Sequence, residues 1–117
     1  PAQCRRLAQR AGLGLARAGG LGATSSGDLF LCFATGNRAI PPAEVEPRGS
    51  LVATLQTVID YALDPLIEAV VEATEEAILN ALLGATTMTG RDGLTAHALP
   101  TERLVEVMAQ YGRPPTT

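Results

Sequence analysis

The sequence contains no lysine and no tryptophan, and aromatic residues make up only 3% of its 117 positions. Since hydrophobic residues still amount to 46%, we expect a core of Ala, Leu, Val and Ile in which small side chains let elements pack closely. The length fits one domain or part of one. No apolar run is long enough to cross a bilayer. The sequence shows no secretory signal, but it opens at Pro1 without a methionine, so that absence says little about the compartment. A cytoplasmic location is the expectation.

Residues suited to metal or acid–base chemistry are scarce. The single histidine, His97, has no second histidine or cysteine nearby, so neither a metal site nor a Ser–His pair is supported within the chain. Cys4 and Cys32 both fall at apolar positions of their predicted elements, which favours free buried thiols over a disulfide. The sequence therefore predicts no metal and no cofactor.

The charge pattern does not indicate a nucleic-acid partner. Nine arginines face twelve acids, for a net charge of −3. Four arginines cluster near the start and could bind phosphate: Arg5, Arg6, Arg10 and Arg17. No aromatic residue interleaves with them for base stacking, so the pattern favours a solvated helix face.

Residues 24–34, here called the central segment, are the most distinctive stretch. Every residue from Leu29 to Ala34 is apolar. Alternation places Leu29, Leu31 and Phe33 on one face and Phe30, Cys32 and Ala34 on the other, which predicts a strand covered on both sides. Within the segment, two serines, a glycine and an aspartate come directly before this apolar run. By local pattern alone, Gly27 at a bend and Asp28 capping a backbone amide is the favoured interpretation.

The first half of the chain also contains other predicted elements. Pro1–Ala11 has helical spacing of apolar residues and Gly12 is a candidate stop, so a short amphipathic helix is expected. Leu13–Ala18 is predicted as a strand that forms a hairpin with the central segment. A proline-rich linker is expected at residues 41–47. The β-branched residues of Leu51–Ile59 favour a strand, with a helix as the alternative.

The second half is predicted to be largely helical. Asp64 as N-cap and Pro65 at the first position predict a helix to about Leu83. Its four glutamates, interpreted as a solvated face rather than a metal or acid–base cluster, are Glu68, Glu72, Glu75 and Glu76. A polar loop is expected at residues 86–93, in which Arg91 and Asp92 either bind substrate or, as we favour, pair with each other. A last helix opens at residues 100–102 and ends at Gly112.

Three stretches, taken together and in order, resemble one family. They are Ser25–Thr35, Glu72–Leu82 and Thr87–Gly93. The sequence resembles the β-subunit of the self-cleaving L-aminopeptidase D-Ala-esterase/amidase and β-peptidyl aminopeptidase family, whose relatives include a pantetheine-derivative hydrolase of carbapenem biosynthesis. The resemblance extends over nearly the whole chain.

The resemblance implies an α+β fold, an αββα four-layer sandwich of the N-terminal-nucleophile type shared with ornithine acetyltransferases. Residues 1–117 would be the C-terminal, β-subunit portion of a single such domain, with a loose tail at residues 113–117. A proenzyme of this family cuts itself once, and the freed N-terminal Ser or Thr becomes the nucleophile with its own α-amine as general base. The implied partners are an α-subunit from the same precursor, in an oligomer of αβ heterodimers, and a small peptide or amide substrate, without nucleic acid or membrane.

The chain departs from this pattern at its start, because Pro1 carries neither a hydroxyl nor a thiol. In the family the nucleophile lies on a strand just upstream of the first helix, so we expect this chain to lack that strand and to be inactive alone. The residues that carry over are Ser26 and Asp28. The resemblance implies that Ser26 hydrogen-bonds the nucleophile's amine or hydroxyl, and that Asp28 orients Ser26 and stabilises the protonated amine. Many relatives have Glu where Asp28 stands.

The expected function is hydrolysis of an amide through an acyl-enzyme, either as an aminopeptidase or on a pantetheine-type amide. One alternative is acyl transfer of the ornithine acetyltransferase type, against which the Ser-Gly-Asp motif and the Thr87–Gly93 loop argue. The other is a non-catalytic interaction module, which Pro1 as a genuine start would favour.

Overall fold

The computed structural model describes residues 2–38 and 52–113. They fall into two compact units, residues 1–74 and 75–117, which are described separately below. In chain order the regular elements are helix α1 (Ala2–Arg17), a 3-10 turn (Asp60–Leu63), helix α2 (Asp64–Gly84), strand β1 (Met88–Thr89), a second 3-10 turn (Arg91–Gly93), strand β2 (Thr95–Ala96) and helix α3 (Thr101–Gln110). Among the described residues, no helix combines the length and apolarity that crossing a membrane requires. The predicted linker at residues 41–47 and the final residues 114–117 lie outside the described part.

Helix α1 is longer than predicted, and the strand and hairpin expected at Leu13–Ala18 are wrong. The helix continues through Gly12 and the buried Gly14 to Arg17. A glycine inside a helix costs about 1 kcal/mol relative to alanine, which is why the pattern indicated a stop. Phe30 packs against the helix at this glycine, since a Cβ built on Gly12 would lie 3.7 Å from Cε2 of Phe30, an ordinary van der Waals contact.

The true end of α1 is a Schellman motif at two glycines. Gly19 has a φ of +100°, which favours glycine. The amide of Gly20 donates to the carbonyl of Leu15 at 2.9 Å, and the amide of Gly19 donates to the carbonyl of Ala16 at 3.1 Å. This pair of bonds satisfies carbonyls that the last helical turn would leave unpaired.

The central segment packs against α1 through one face only. Phe30 lies over Gly12, and the half-buried thiol of Cys32 has that of Cys4 as its neighbour. The other face is bare, with Leu29 98%, Leu31 90% and Phe33 79% exposed. The described residues give this segment no strand partner, so the prediction of a strand covered on both faces is wrong for this chain. The reason is that the partner expected at Leu13–Ala18 is helical and covers a single face.

Residues 52–59 are neither the strand nor the helix that was considered for them. Instead of pairing with another strand, the backbone of this segment forms hydrogen bonds with side chains from other parts of the chain. The side-chain amide of Asn37 donates to the carbonyl of Gln56 at 2.9 Å, and the amide of Gln56 donates back to Oδ1 of Asn37 at 2.9 Å. This exchange of two bonds has the form of one rung of an antiparallel ladder, with a side chain in place of one strand.

Helix α2 begins at the predicted residue, but without the predicted N-cap. Asp64 already has helical dihedral angles (φ −58°, ψ −46°) because the preceding 3-10 turn runs directly into the helix. Leu63 and Val71 are buried. The less exposed side chains along the helix are at residues 67, 70, 71, 74, 75 and 78. Glu68, Glu72 and Glu76 are exposed, as expected for a solvated face, whereas Glu75 is partly covered, so the prediction holds for three of the four glutamates.

The second unit contains a hairpin where a loop was predicted. β1 and β2 pair antiparallel, with Met88 opposite Ala96 and Thr89 opposite Thr95. Each strand has two residues, too few for alternation to reveal in the sequence. The turn between them uses left-handed backbone at Asp92 (φ 60°) and Gly93 (φ 74°).

Helix α3 confirms the predicted last helix. It runs from Thr101 to Gln110, with Pro100 as N-cap. Gly112 adopts a φ of +70°, and the amide of Arg113 donates to the carbonyl of Met108 at 2.8 Å, so the predicted stop is a second Schellman motif. Tyr111 lies beyond the last helical residue and is 80% exposed.

Candidate active site

Ser26 and Asp28 lie at the start of the central segment, directly after a tight turn. The amide of Ser26 donates to the carbonyl of Ala23 at 2.7 Å, which closes the turn. Both side chains are exposed. Within the part of the chain that the structure describes, neither the Ser26 hydroxyl nor the Asp28 carboxylate has a hydrogen-bond or ion-pair partner.

This arrangement corrects the local interpretation of the motif. The turn is present, but it bends at residues 24 and 25 rather than at Gly27. Asp28 caps no backbone amide in the described residues. A hydroxyl and a carboxylate exposed two residues apart are therefore available to a group from elsewhere.

The exposure pattern indicates which way the two side chains are directed. From residue 29 to residue 33 the odd-numbered side chains are bare, and Phe30 and Cys32 contact α1. Successive side chains of an extended backbone point to opposite sides, so residues two apart share a side. Continued backwards, the same alternation predicts that Ser26 and Asp28 share the side of Phe30 and Cys32, although both side chains are exposed and thus not covered by α1.

Several contacts hold this region together. Gln3 on α1 donates a hydrogen bond to the carbonyl of Val58, and Nη1 of Arg6 lies 3.3 Å from Oδ2 of Asp60. Asn37 connects the chain just after the central segment to Gln56. The central segment is thus supported directly by α1. Residues 56–60 support it indirectly, because they bind α1 and the chain at Asn37.

The contact between Cys4 and Cys32 is the feature that sequence reasoning missed. Both thiols are free and half-buried. Burial, followed by the hydrogen bond with Cys4 and the charge of that neighbour, raises the pKa of the Cys32 thiol. The sequence shows that both cysteines fall on apolar faces, so their burial could be predicted. It does not show that their two elements pack against each other, because residues 4 and 32 are distant in the chain.

The remaining candidates do not form a second chemical cluster. Arg91 and Asp92 pair with each other, Nε to Oδ2 at 3.3 Å, and both are strongly exposed, in agreement with the structural role favoured from sequence. Arg6, one of the four clustered arginines, pairs with Asp60. In residues 2–38 and 52–113 no group of three His, Cys, Asp or Glu side chains is placed to hold a metal ion.

A groove of about 640 Å³ lies between α1 and α2 within the first unit. Its floor is apolar and its rim is charged; the lining residues are Leu13, Ala16, Arg17, Asp64, Ile67, Glu68 and Val71. Ser26 and Asp28 are not among them, so the groove and the candidate site are different places.

Comparison with known proteins agrees with the resemblance found in the sequence. The sequence profile described as Peptidase family S58 matches residues 1–96. The chain belongs to Peptidase family S58. It is 40% identical over 113 residues to the β-peptidyl aminopeptidase BapA of Sphingosinicella microcystinivorans, an alignment that covers 97% of this chain and 27% of that protein.

Solved structures of S58-like proteins also match this chain. A β-aminopeptidase from Burkholderia sp. matches with a TM-score of 0.86 and 42% identity, over 98% of this chain and 32% of that chain. The L-aminopeptidase D-Ala-esterase/amidase of Ochrobactrum anthropi, described as a prototype for the serine aminopeptidases and a new variant among the Ntn hydrolase fold, matches with a TM-score of 0.80 and 38% identity, over 98% of this chain and 31% of that chain. The chain therefore shares its fold with part of an Ntn-hydrolase-type aminopeptidase, and it spans about a third or less of the length of these relatives.

Proposed function

We propose that the protein to which this S58 chain belongs is an aminopeptidase that hydrolyses amides through an acyl-enzyme, with Ser26 and Asp28 supporting a nucleophile located outside this chain. The observation that carries the proposal is the exposed Ser26–Asp28 pair, whose side chains have no partner among residues 2–38 and 52–113, in a chain whose relatives are named aminopeptidases. The second step of the catalytic cycle, release of the acyl group, needs only water.

The chemistry follows from the groups available. The hydroxyl of an N-terminal Ser or Thr attacks the substrate carbonyl while the α-amine of the same residue takes up its proton. An α-amine has a pKa of about 7.7–8.0, so it can act as a base near neutral pH. The proton passes to the departing amine, and water then cleaves the ester by the same route in reverse. Ser26 would hydrogen-bond the nucleophile, and the carboxylate of Asp28 would stabilise the protonated amine.

The length of helix α1 determines how long the upstream strand of this proposal would have to be. Helix α1 has 16 residues, and at 1.5 Å per residue its axis is about 24 Å long. A strand of about seven residues that precedes α1 and runs back alongside it covers the same length at about 3.3 Å per residue. Its first residue would then lie level with the C-terminal end of α1. Residues 18–23 connect that same end to the turn before Ser26, so the two parts of the proposed site meet there.

The proposal also accounts for the bare face of the central segment. In an αββα four-layer sandwich, Leu29, Leu31 and Phe33 would be covered by the remainder of the protein, including an α-subunit released from the same precursor by a single self-cleavage. The short share of each relative that this chain spans supports a larger protein around it. Oligomers of αβ heterodimers and a cytoplasmic location are parts of the same proposal.

The test uses the full-length protein and chromogenic amides of β-alanine, L-alanine and D-alanine, with a pantetheine-type amide as an additional substrate. We expect turnover of at least one aminoacyl amide. Ser26→Ala should lower kcat/KM by about 10²-fold or more, the range found when one stabilising hydrogen-bond donor is removed from an active site. Ser25→Ala is the matched control, because Ser25 is also exposed but lies within the turn that precedes Ser26.

Asp28→Asn gives a readout that a purely structural role would not affect. Loss of a carboxylate beside the protonated α-amine lowers the pKa of that amine, so the acidic limb of the kcat/KM profile should move to lower pH while the maximal rate falls. Folding is checked by circular dichroism. Wild-type rates and pH profiles in both Ser26→Ala and Asp28→Asn would refute the assigned roles, and no turnover of any amide by the wild-type protein would refute the proposed function.

A further inference from the structure

Residues 18–30, here called the site loop, leave helix α1 and return to it. The loop leaves at the C-terminal end of the helix, where the amide of Gly20 donates to the carbonyl of Leu15 at 2.9 Å. It returns at Phe30, because a Cβ built on Gly12 would lie 3.7 Å from Cε2 and 4.0 Å from Cζ of that ring. Both ends of the site loop are therefore held by one helix.

The contact of Phe30 closes the loop next to the candidate site. Phe30 is 39% exposed, whereas its neighbours Leu29 and Leu31 are 98% and 90% exposed, so among these three it is the residue that packs. Asp28 lies two residues before Phe30, and the chain can span at most about 7 Å between their Cα atoms. Any displacement of Phe30 on α1 is therefore passed to Asp28 by a short piece of backbone.

The side chain of Asp28 has nothing else to hold it within this chain. Among residues 2–38 and 52–113 its carboxylate has no hydrogen-bond or ion-pair partner. Its position is thus set by the backbone on either side, which is fixed upstream by the bond from the Ser26 amide to the Ala23 carbonyl at 2.7 Å and downstream by Phe30.

We propose that Phe30 is a positioning residue for the proposed amide hydrolysis, because its ring, packed against Gly12, fixes where the Asp28 carboxylate lies relative to the α-amine of the nucleophile. The inference rests on the proposed function. Phe30 itself touches no reacting group and acts through Asp28. A misplacement of about 1 Å in an active site can lower the rate about 100-fold, so a packing contact two residues from the carboxylate is sufficient for a measurable effect.

The experiment measures the dependence of kcat/KM on pH in the full-length protein, with an aminoacyl amide that the wild type hydrolyses. Phe30→Ala should lower kcat/KM by about 10- to 100-fold. It should also move the acidic limb to lower pH, in the direction expected for Asp28→Asn, because the carboxylate no longer stabilises the protonated amine. A mere loss of folded enzyme would lower the rate by the same factor at every pH and would leave the limb in place.

Three further variants separate positioning from stability. Gly12→Ile disturbs the same contact from the helix side, because both branches of its Cβ cannot turn away from the ring, while isoleucine costs a helix less than glycine does. It should move the limb as Phe30→Ala does. Phe30→Met keeps a long apolar side chain that can reach α1 and should retain the wild-type limb. Phe33→Ala is the matched control, since it makes the same deletion on the bare side of the segment and should not move the limb.

Hydrogen exchange adds a readout that does not depend on activity. Phe30→Ala should raise exchange of the Ser26 amide about 5-fold or more, whereas Phe33→Ala should not. Unchanged exchange at Ser26 in Phe30→Ala would overturn the inference. In an active protein, an acidic limb that stays in place in both Phe30→Ala and Gly12→Ile would overturn it as well and would leave the proposed function intact. No turnover by the wild type would refute the proposed function, and the role of Phe30 with it.

Discussion

Replacing Asn37 with leucine tests how the end of the central segment is held. The two side chains are similar in size, but leucine can neither donate to the carbonyl of Gln56 nor accept from its amide. Both of these bonds are 2.9 Å long, and Asn37 is half-buried while Gln56 is exposed. The substitution therefore removes two hydrogen bonds with little change in volume.

The magnitude follows from the solvent exposure of the partner. A hydrogen bond contributes about 0.5–1.5 kcal/mol net, and the larger penalty for an unsatisfied group applies only where water cannot replace the partner. Water can reach the exposed backbone of Gln56, so the loss should be about 1–2 kcal/mol for the pair. That corresponds to a roughly 5- to 30-fold higher population of the locally open state.

The assay is amide hydrogen exchange of the full-length protein, followed by mass spectrometry of peptides that contain Gln56. Its amide is hydrogen-bonded to Oδ1 of Asn37, so Asn37→Leu should raise its exchange rate by the same 5- to 30-fold. Asn80→Leu is the matched control, because Asn80 is an exposed residue of α2 and the same replacement should leave exchange at Gln56 unchanged. Equal exchange rates at Gln56 in the wild type and in Asn37→Leu would refute this account of how the segment is held.

The other predictions concern glycine packing and the chain in isolation. Gly12→Ala should stabilise the protein by about 0.5–1 kcal/mol in urea unfolding, because the new Cβ meets Phe30 at an ordinary 3.7 Å while the helix gains propensity. Gly20→Ala should destabilise it by about 1–3 kcal/mol, because its Cβ would lie 2.6 Å from Cγ of Leu15; equal midpoints for the two variants would contradict both. The isolated chain should bind a hydrophobic dye such as ANS through its bare apolar face and should hydrolyse no aminoacyl amide. The full-length protein should hydrolyse the amide and should not bind the dye at this face.

Local sequence signals were sufficient for the two helices with standard ends. The Asp64-Pro65 pair marked the start of α2, and Pro100 and Gly112 bounded α3. Each of these signals acts within one helical turn, so neighbouring residues determine the outcome. Only the exact role of Asp64 differed, because the preceding 3-10 turn makes it helical already.

The errors in the first unit share one physical cause. Gly12 has the same local cost in a helix wherever it occurs, and the sequence does not show that a distant phenylalanine occupies the space above it. A helix that ends at Gly12 leaves Leu13–Ala18 outside it, and the alternation of these residues then predicts a strand and a hairpin. The true stop at Gly19 and Gly20 has an equally plain sequence signal, so tertiary packing alone decides between the two glycine positions.

The candidate site shows the same division between local and distant information. The alternation within the central segment was correctly identified, and it persists in the exposures of residues 29–33. Alternation cannot specify which element packs against each face. Helix α1 packs against Phe30 and Cys32, and nothing in the described chain covers Leu29 or Leu31. An apolar strand face without cover is unstable in water, since each exposed leucine forgoes about 1.5–3 kcal/mol of burial free energy. The pattern that predicted a buried strand is therefore evidence for a larger protein around this chain, in agreement with the short share of each relative that the chain spans.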